Sequence, residues 1–174
     1  AHDELVEAPN GLNRYETYTV GAEFLYAAFA RLMPDGWTLT CRVRWLALLW
    51  FCLGIAAMVC WVRNLCGSWA GGIASGFFYA VSAASVVRST GQELSHENFA
   101  LPLLLAHMAF SSWSVRVRAE KSWLPVLFSS LLLAAAAATW DMIQFYLYLW
   151  MAGYVAEAWR GTLYAQRPEF RRWL

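Results

Sequence analysis

The stretch WLALLWFCLGIAAMVCWV, residues 45–62, contains no charged side chain over 18 positions. A helix of that length approaches the roughly 20 residues that cross the hydrocarbon core of a bilayer. Four further apolar stretches follow it, at residues 69–87, 99–115, 122–140 and 142–159. None alternates polar and apolar residues as a barrel strand does, so the sequence predicts helices as the spanning form. We therefore expect an all-α, polytopic transmembrane helix bundle with about five spans.

The composition supports a membrane protein. Of the 174 residues, 60% are hydrophobic and only 14% are charged, whereas a soluble domain is about 25% charged. The 11 Trp and 8 Tyr residues are types that favour membrane interfaces. The net charge of +1 comes without a basic stripe carrying interleaved aromatic residues, which argues against nucleic acid as a partner. The lipid bilayer is the partner that the composition predicts.

The charged residues divide between the two sides of the predicted bundle. Eight of the 13 basic residues lie in short loops and a tail on one side: Arg63, Arg116, Arg118, Lys121, Arg160, Arg167, Arg171 and Arg172. The positive-inside rule makes that side cytoplasmic. Nine of the 12 acidic residues lie on the other side: Asp3, Glu4, Glu7, Glu16, Glu23, Asp35, Glu93, Glu97 and Asp141. We therefore expect the acidic loops to be periplasmic, extracellular or lumenal. We also expect any reactive site to lie on this outer face.

Two regions follow from this topology. Residues 1–44 form an outer loop, in which the stretch TYTVGAEFLYAAFARLM, residues 17–33, is apolar but interrupted by Glu23 and Arg31. Such a stretch predicts a helix that lies at the outer interface. Residues 45–174 form the transmembrane bundle with a basic cytoplasmic tail. Because the chain starts at Ala1, we expect a segment of a longer protein with a further span upstream.

Three interior positions have simple structural interpretations. Gly72 and Gly76 form a small-xxx-small pair, which predicts close contact between helices. Pro102 is expected near the start of the third span, where its missing N–H would have no intrahelical partner. His107, the one ionisable residue deep in a span, is expected to form an interhelical hydrogen bond.

The outer loop RSTGQELSHENFALPLLLAHM, residues 88–108, places Arg88, Glu93, His96 and Glu97 within ten residues between two apolar spans. The simplest interpretation is a solvated loop followed by a helix start. Ser95 would cap that helix, and a carboxylate in its first turn would be favoured by the helix dipole. Such a loop would have no chemical role.

The order of elements resembles the GT-C class of membrane glycosyltransferases, and most closely its oligosaccharyltransferase catalytic subunits. PNGLNRYETYTVGAEFLYAAFARL, residues 9–32, is similar to the first outer loop of that family. RSTGQELSHENFALPLLL, residues 88–105, resembles its second acidic loop. AAATWDMIQFYLYLW, residues 136–150, resembles its hairpin between two later spans. The resemblance implies that the chain is a fragment of a GT-C type fold.

The resemblance also implies an activity. A membrane glycosyltransferase of this kind moves a sugar or oligosaccharide from a polyprenyl-(pyro)phosphate donor to an acceptor polypeptide on the outer face. By this resemblance, Asp3 and Glu97 would be catalytic and would bind a divalent metal, Mg²⁺ or Mn²⁺, while Arg88 and His96 would bind substrate. Carboxylates suit a hard cation that neutralises a phosphate leaving group.

The chain departs from the family pattern at two sites. Ser95 stands where the second loop of the family has its first acid, and a hydroxyl is a poor replacement for a carboxylate ligand; Glu93 is the alternative ligand. Asp3 is one candidate for the catalytic aspartate of the first loop, and a residue upstream of Ala1 is the other. These departures leave the catalytic competence of the fragment open.

Two other functions remain open. A transferase that moves one sugar from a polyprenyl phosphate, as protein O-mannosyltransferases do, would suit the adjacent Asp3 and Glu4, which resemble the acidic pair of those enzymes. The other alternative is a non-catalytic membrane subunit or a transporter. A transporter should show repeats and broken helices near the midplane, and the sequence shows no repeat.

Overall fold

A computed structural model of the chain describes residues 2–3, 12–13, 21–82, 96–117 and 123–164. The chain divides into two units, Ala1–Asp141 and Met142–Leu174. The described helices are α1 (Gly21–Arg31), α2 (Leu39–Cys66), α3 (Trp69–Val81), α4 (His96–Arg116), α5 (Trp123–Thr139) and α6 (Ile143–Tyr164). Two short strands, β1 (His2–Asp3) and β2 (Leu12–Asn13), pair antiparallel. The predicted all-α class is confirmed.

The five apolar stretches correspond to helices. The stretch 45–62 lies inside α2, and the stretch 99–115 lies inside α4. The stretches 122–140 and 142–159 match α5 and α6 to within a few residues. The stretch 69–87 is helical through Val81, and its last residues, from 83 onward, lie outside the described part of the chain.

One helix in the described ranges, α2, is both long enough and apolar enough to cross a membrane. Its 28 residues would extend about 42 Å at the rise of an α-helix. Thr38 caps its N-terminus, because its hydroxyl accepts a hydrogen bond from the Cys41 N–H at 3.3 Å. Gly67 ends it in the left-handed conformation, with φ 69°, which glycine adopts without the steric cost that a Cβ brings.

Helices α2 and α3 pack closely through glycine. A methyl group at Gly72 would lie 2.7 Å from the Val59 carbonyl oxygen and 3.0 Å from the Arg63 Cβ. A methyl group at Gly76 would overlap the Val59 side chain. The predicted role of this small-xxx-small pair in helix contact is confirmed.

Helices α4 and α5 pack through a reciprocal pair of polar residues. The Ser129 hydroxyl donates to the His107 carbonyl oxygen at 3.2 Å, and His107 Nδ1 lies 3.0 Å from the Ser129 carbonyl oxygen. Both residues are buried. The prediction that His107 forms an interhelical hydrogen bond is confirmed.

The interpretation of Pro102 was wrong. Pro102 lies inside α4, which already begins at His96, so its ring replaces an N–H that a regular helix would use in hydrogen bonding. The start at His96 is the one that a cap at Ser95 predicted. The interpretation of Pro102 had instead counted from the start of the apolar run. A methyl group at Gly54 would lie 3.3 Å from the Pro102 Cγ, so the ring packs where α2 leaves room for it.

Helix α1 lies at one end of the first unit, which we call the α1 end. Its N-terminal Gly21 lies directly against the backbone of α5, since a methyl group there would overlap the Ala138 carbonyl. The Arg42 side chain holds the other terminus, donating through Nη1 to the Ala30 carbonyl oxygen at 3.0 Å. The predicted helix 17–33 is thus observed over Gly21–Arg31, and residues 17–20 lie outside the described part.

The opposite end of this unit, which we call the Arg63 end, joins α2 to the C-terminal part of α4. The Asn64 side-chain amide donates to the Ala109 carbonyl oxygen at 3.1 Å and to the Ser112 hydroxyl at 3.2 Å. The Arg116 guanidinium comes within 4.0 Å of where a Gly67 methyl group would be. Glu23 and Glu97 therefore lie toward the α1 end, and Arg63 and Arg116 lie at the other.

The second unit contributes α6 to the described residues. The turn before this helix closes with the Phe145 N–H donating to the Met142 carbonyl oxygen at 3.1 Å. Large apolar side chains on it are exposed, including Phe145, Leu149 and Trp159.

Candidate functional site

The predicted site residues lie in three places. His96 and Glu97 are the first two residues of α4, and both are half-buried. Asp3 lies in β1, where it pairs with Leu12. Arg88 lies outside the described residues, as do Glu93 and Ser95. The structure thus shows the local setting of His96 and Glu97, and the roles of all four residues stay predictions.

A second carboxylate faces His96 from α1. His96 Nε2 lies 3.9 Å from the Glu23 Oε1, with 34% of the histidine side chain and 63% of the glutamate side chain exposed. The next layer repeats this pairing, since Tyr26 packs edge-on against Phe99 with ring centroids 4.2 Å apart. Residues three apart on a helix share a face. Glu23 and Tyr26 on α1 therefore oppose His96 and Phe99 on α4.

The tautomer of His96 follows from its second contact. Its Nδ1 lies 3.1 Å from the Thr139 carbonyl oxygen, at the end of α5. A carbonyl oxygen accepts hydrogen bonds and donates none, so Nδ1 carries the proton. Nε2 then has a free lone pair in neutral His96 and a second N–H in the protonated form. Nε2 is therefore the nitrogen that faces Glu23.

Tyr26, three residues after Glu23 on α1, carries a buried hydroxyl. Within the described residues its oxygen is out of contact with water and has no hydrogen-bond partner. Burial raises the pKa of Tyr26 to about 12, because desolvation disfavours the phenolate. The hydroxyl thus stays neutral and keeps a donor to offer at neutral pH.

Aromatic rings close the site on its inner side. Trp50 of α2 lies 5.0 Å from Phe99 and 5.4 Å from Phe29, measured between ring centroids. Its indole Nε1–H donates to the Phe99 carbonyl oxygen at 3.1 Å, which satisfies the one polar group of the ring. This layer separates the polar pair from the interior of the helices.

The expected metal has few ligands in the part of the chain that the structure describes. No group of three or more His, Cys, Asp or Glu residues there could hold an ion. The nearest arrangement is the pair of Glu23 and His96, and Mg²⁺ prefers about six oxygen ligands. The divalent cation stays a prediction, and no step proposed below depends on it.

Sequence analysis did not identify Glu23, Tyr26 or the Thr139 carbonyl as site components. One feature of the sequence did point to Glu23: a carboxylate in an apolar interfacial helix must be hydrated or paired with another polar group. Its spacing of three from Tyr26 showed that the two share a face. Nothing in the sequence indicated that this face meets the start of α4, because that contact joins residues 73 positions apart.

No model of a known protein family matches this chain, and neither a curated protein nor a solved structure is significantly similar to it. The proposals below therefore depend on the geometry of the described residues and on the motif resemblance.

Proposed function

We propose that this chain is the transmembrane part of a multi-pass glycosyltransferase of GT-C type. It transfers a sugar or oligosaccharide from a polyprenyl-(pyro)phosphate donor to an acceptor polypeptide on the outer face of the membrane. One observation carries the proposal: Glu23 and His96 converge from two helices beside Glu97, at the end of an apolar helical unit. The reactive headgroup of a lipid-borne substrate lies at such a boundary.

The exposed surface of the helices supports a multi-pass arrangement. On α3 the large side chains of Ile73, Phe77, Phe78 and Val81 are each more than half exposed. Similar apolar side chains are exposed on α2, α5 and α6, among them Leu53, Leu131 and Leu149. A soluble protein rarely exposes contiguous apolar surface on this scale, whereas acyl chains cover it at no cost. We therefore assign α2 to α6 as spans and α1 as the interfacial helix.

The side chains at the α1 end suit the charges of the reaction. As the new glycosidic bond forms, the bond from the anomeric carbon to the phosphate oxygen breaks, and its electrons leave with the phosphate. Protonated His96 can donate from Nε2 to a phosphate oxygen, with Glu23 balancing its charge. Glu97 orients the acceptor nucleophile and takes the proton that the nucleophile loses as the glycosidic bond forms. Arg88 supplies a planar donor fork for phosphate in this proposal.

The first experiment tests Glu97. The membrane-embedded protein is supplied with a synthetic polyprenyl pyrophosphate oligosaccharide and an acceptor peptide, and the glycopeptide is quantified by mass spectrometry. We expect Glu97→Gln to lower the rate at least about 100-fold, because a neutral amide is a weak acceptor and no base. Asp141→Asn, an exposed carboxylate at the end of α5, is the control and should transfer normally. Normal transfer by Glu97→Gln would remove Glu97 from the mechanism.

The second experiment distinguishes the roles of the two ring nitrogens of His96. Asparagine places an N–H near the position of Nδ1, so His96→Asn retains the donor to the Thr139 carbonyl and loses Nε2. Glutamine reaches the position of Nε2, so His96→Gln does the opposite. If Nε2 binds the phosphate, the Asn variant should lose transfer and fold normally, whereas the Gln variant should keep part of its activity. Normal transfer by the Asn variant with loss in the Gln variant would instead indicate that His96 only anchors α4 to α5.

The donor decides between the two transferase classes. Parallel reactions with a polyprenyl phosphate monosaccharide test the single-sugar alternative, and faster transfer from that donor would support it. Binding of either donor without turnover would instead favour a non-catalytic subunit.

A further inference from the structure

An apolar groove runs along the first unit between α2 and α4. The residues that line it recur about every three or four positions along both helices. They include Trp50, Ala57, Ala106 and Phe110. The small alanine side chains leave open space between the two walls. From Trp50 at the α1 end to Arg63 the groove follows 13 residues of α2, which is about 20 Å of helix.

A positively charged side chain, Arg63, lies at one end of the groove. Arg63 and Asn64 are the polar residues among those that line it, and both lie at the Arg63 end. Asn64 already uses its amide in hydrogen bonds to α4. The Arg63 guanidinium lies over the Trp69 ring, 4.6 Å from the centroid, and donates one hydrogen bond, at 3.4 Å, to the Asn64 Oδ1. Within the described residues no carboxylate pairs with it, so most of its donors are available to a ligand.

The Arg63 side chain is also held in place. A methyl group at Gly72 would lie 3.0 Å from the Arg63 Cβ, so α3 packs against the stem while Trp69 covers the head. Arg116 approaches the same last turn of α2 from α4. Arg63 lines the end of the apolar channel, and Arg116 lies near Gly67, which follows the same turn of α2. This arrangement is complementary to a phosphate that carries a hydrocarbon chain.

We propose that this groove binds one anionic glycerophospholipid of the cytoplasmic leaflet, with an acyl chain along α2 and α4 and its phosphate at Arg63 and Arg116. The volume of about 530 Å³, spread over the length of the groove, suits a hydrocarbon chain. An α-helix of a partner protein, about 10 Å across with its side chains, is too wide to occupy the groove. The inference depends on the membrane placement proposed above.

The charge at the groove distinguishes this lipid from the glycosyl donor. The proposed reaction needs the donor phosphate at the α1 end, beside His96 and Glu97. The arginine of the groove lies at the opposite end, so a donor whose tail filled the groove would leave its phosphate far from Arg63. A lipid whose headgroup is on the basic side satisfies both the apolar walls and the cation.

The experiment measures lipid binding separately from transfer. The whole protein, in nanodiscs of equal phosphatidylglycerol and phosphatidylcholine, is tested with phosphatidylglycerol that carries a photoreactive group on one acyl chain. Crosslinked peptides are mapped by mass spectrometry, and retained lipids are counted by native mass spectrometry. We expect crosslinks on the groove faces of α2 and α4, and a preference of about fivefold to tenfold for the anionic lipid.

Three variants test the assignment. Arg63→Gln should abolish the preference for phosphatidylglycerol. Arg31→Gln, at the exposed last residue of α1 and outside the groove, should retain it. Ala57→Phe fills the groove and should remove the crosslinks while Arg63 is intact. A folded Arg63→Gln protein with unchanged lipid preference overturns the proposal.

Other occupants give distinct results. Crosslinks spread evenly over all exposed helix faces would show ordinary boundary lipid. Crosslinking by a polyprenyl phosphate probe, with phosphatidylglycerol excluded, would assign the groove to the donor tail. A groove that no lipid probe reaches would be covered by protein. Each of these results contradicts the proposal, and none of them depends on whether the protein transfers a glycan.

Discussion

At the scale of single residues, the Tyr26 hydroxyl is expected to affect both stability and substrate binding. A buried hydroxyl without a partner costs about 1–3 kcal/mol, and Tyr26 has none within the described residues. Replacing it with Phe keeps the edge contact with Phe99 and removes the unpaired atom. We expect Tyr26→Phe to raise the thermal midpoint in detergent, measured by circular dichroism. If the hydroxyl donates to a bound substrate, the same variant should raise the KM for the donor or acceptor. A lowered midpoint would show that the hydroxyl has a protein partner.

The raised pKa of Tyr26 gives a pH dependence with a definite sign. Folded Tyr26 binds its proton up to about pH 12, whereas the exposed side chain loses it near pH 10.0. Between these values the unfolded state binds fewer protons, so stability falls as the pH rises. Unfolding by denaturant at pH 9 to 12 should therefore show a steeper alkaline loss for the wild type than for Tyr26→Phe. Parallel curves for the two proteins would contradict the raised pKa.

Contact between α2 and α3 can be tested at the scale of the element. Gly72→Ala places a methyl group 2.7 Å from the Val59 carbonyl oxygen, and such overpacking costs about 1–3 kcal/mol. Gly71→Ala is a matched control, because its methyl group meets no atom closer than 3.8 Å and alanine is the better helix former. We expect the first variant to unfold at lower denaturant and the second at equal or higher denaturant. Equal midpoints would mean that α3 moves away from α2 freely.

The bounds of the elements show what an apolar pattern can predict. The apolar stretches located the cores of α2, α4, α5 and α6, because burial in any apolar medium selects the same residues. Helix α4 begins at His96 rather than within the apolar run, since its polar first turn, favourable to a carboxylate, carries no hydrophobic signal. Pro102 therefore lies inside the helix, whereas its expected place near the start of the span had been taken from the apolar run alone.

The direction of the helices can be tested at the scale of the whole molecule. In a variant in which the four native cysteines are replaced by alanine, Asp141→Cys and Ser68→Cys introduce one thiol each. We expect a membrane-impermeant maleimide to label the Asp141→Cys protein in intact cells and the Ser68→Cys protein only after permeabilisation. This follows from the positive-inside rule, applied to the basic loops. Labelling of both proteins from the same side would contradict the multi-pass assignment.

The candidate site was only partly predictable from the sequence. The junction at His96 and Glu97 was recognisable as a charged group between two apolar stretches. The sequence placed the Glu23 carboxylate in an interfacial helix, but it did not predict that His96 would be its partner. Spacing along α1 shows that Glu23 and Tyr26 share a face, and it carries no information about which distant residues that face meets.

Local patterning determined the class of this protein, because helix formation and the length of an apolar stretch depend on neighbouring residues. The sequence alone predicted the all-α class and the apolar helices that the structure shows. Its division of charge between two membrane sides stays a prediction. The tertiary structure decided which faces meet: α1 against the start of α4, which pairs Glu23 with His96, and α2 against α4, which leaves the groove that ends at Arg63. Close packing positions these helices: Gly21 of α1 lies against Ala138 of α5, and Gly54 of α2 lies against Pro102 of α4. Their shape exists only once the helices are in place, because complementarity is a property of two surfaces together.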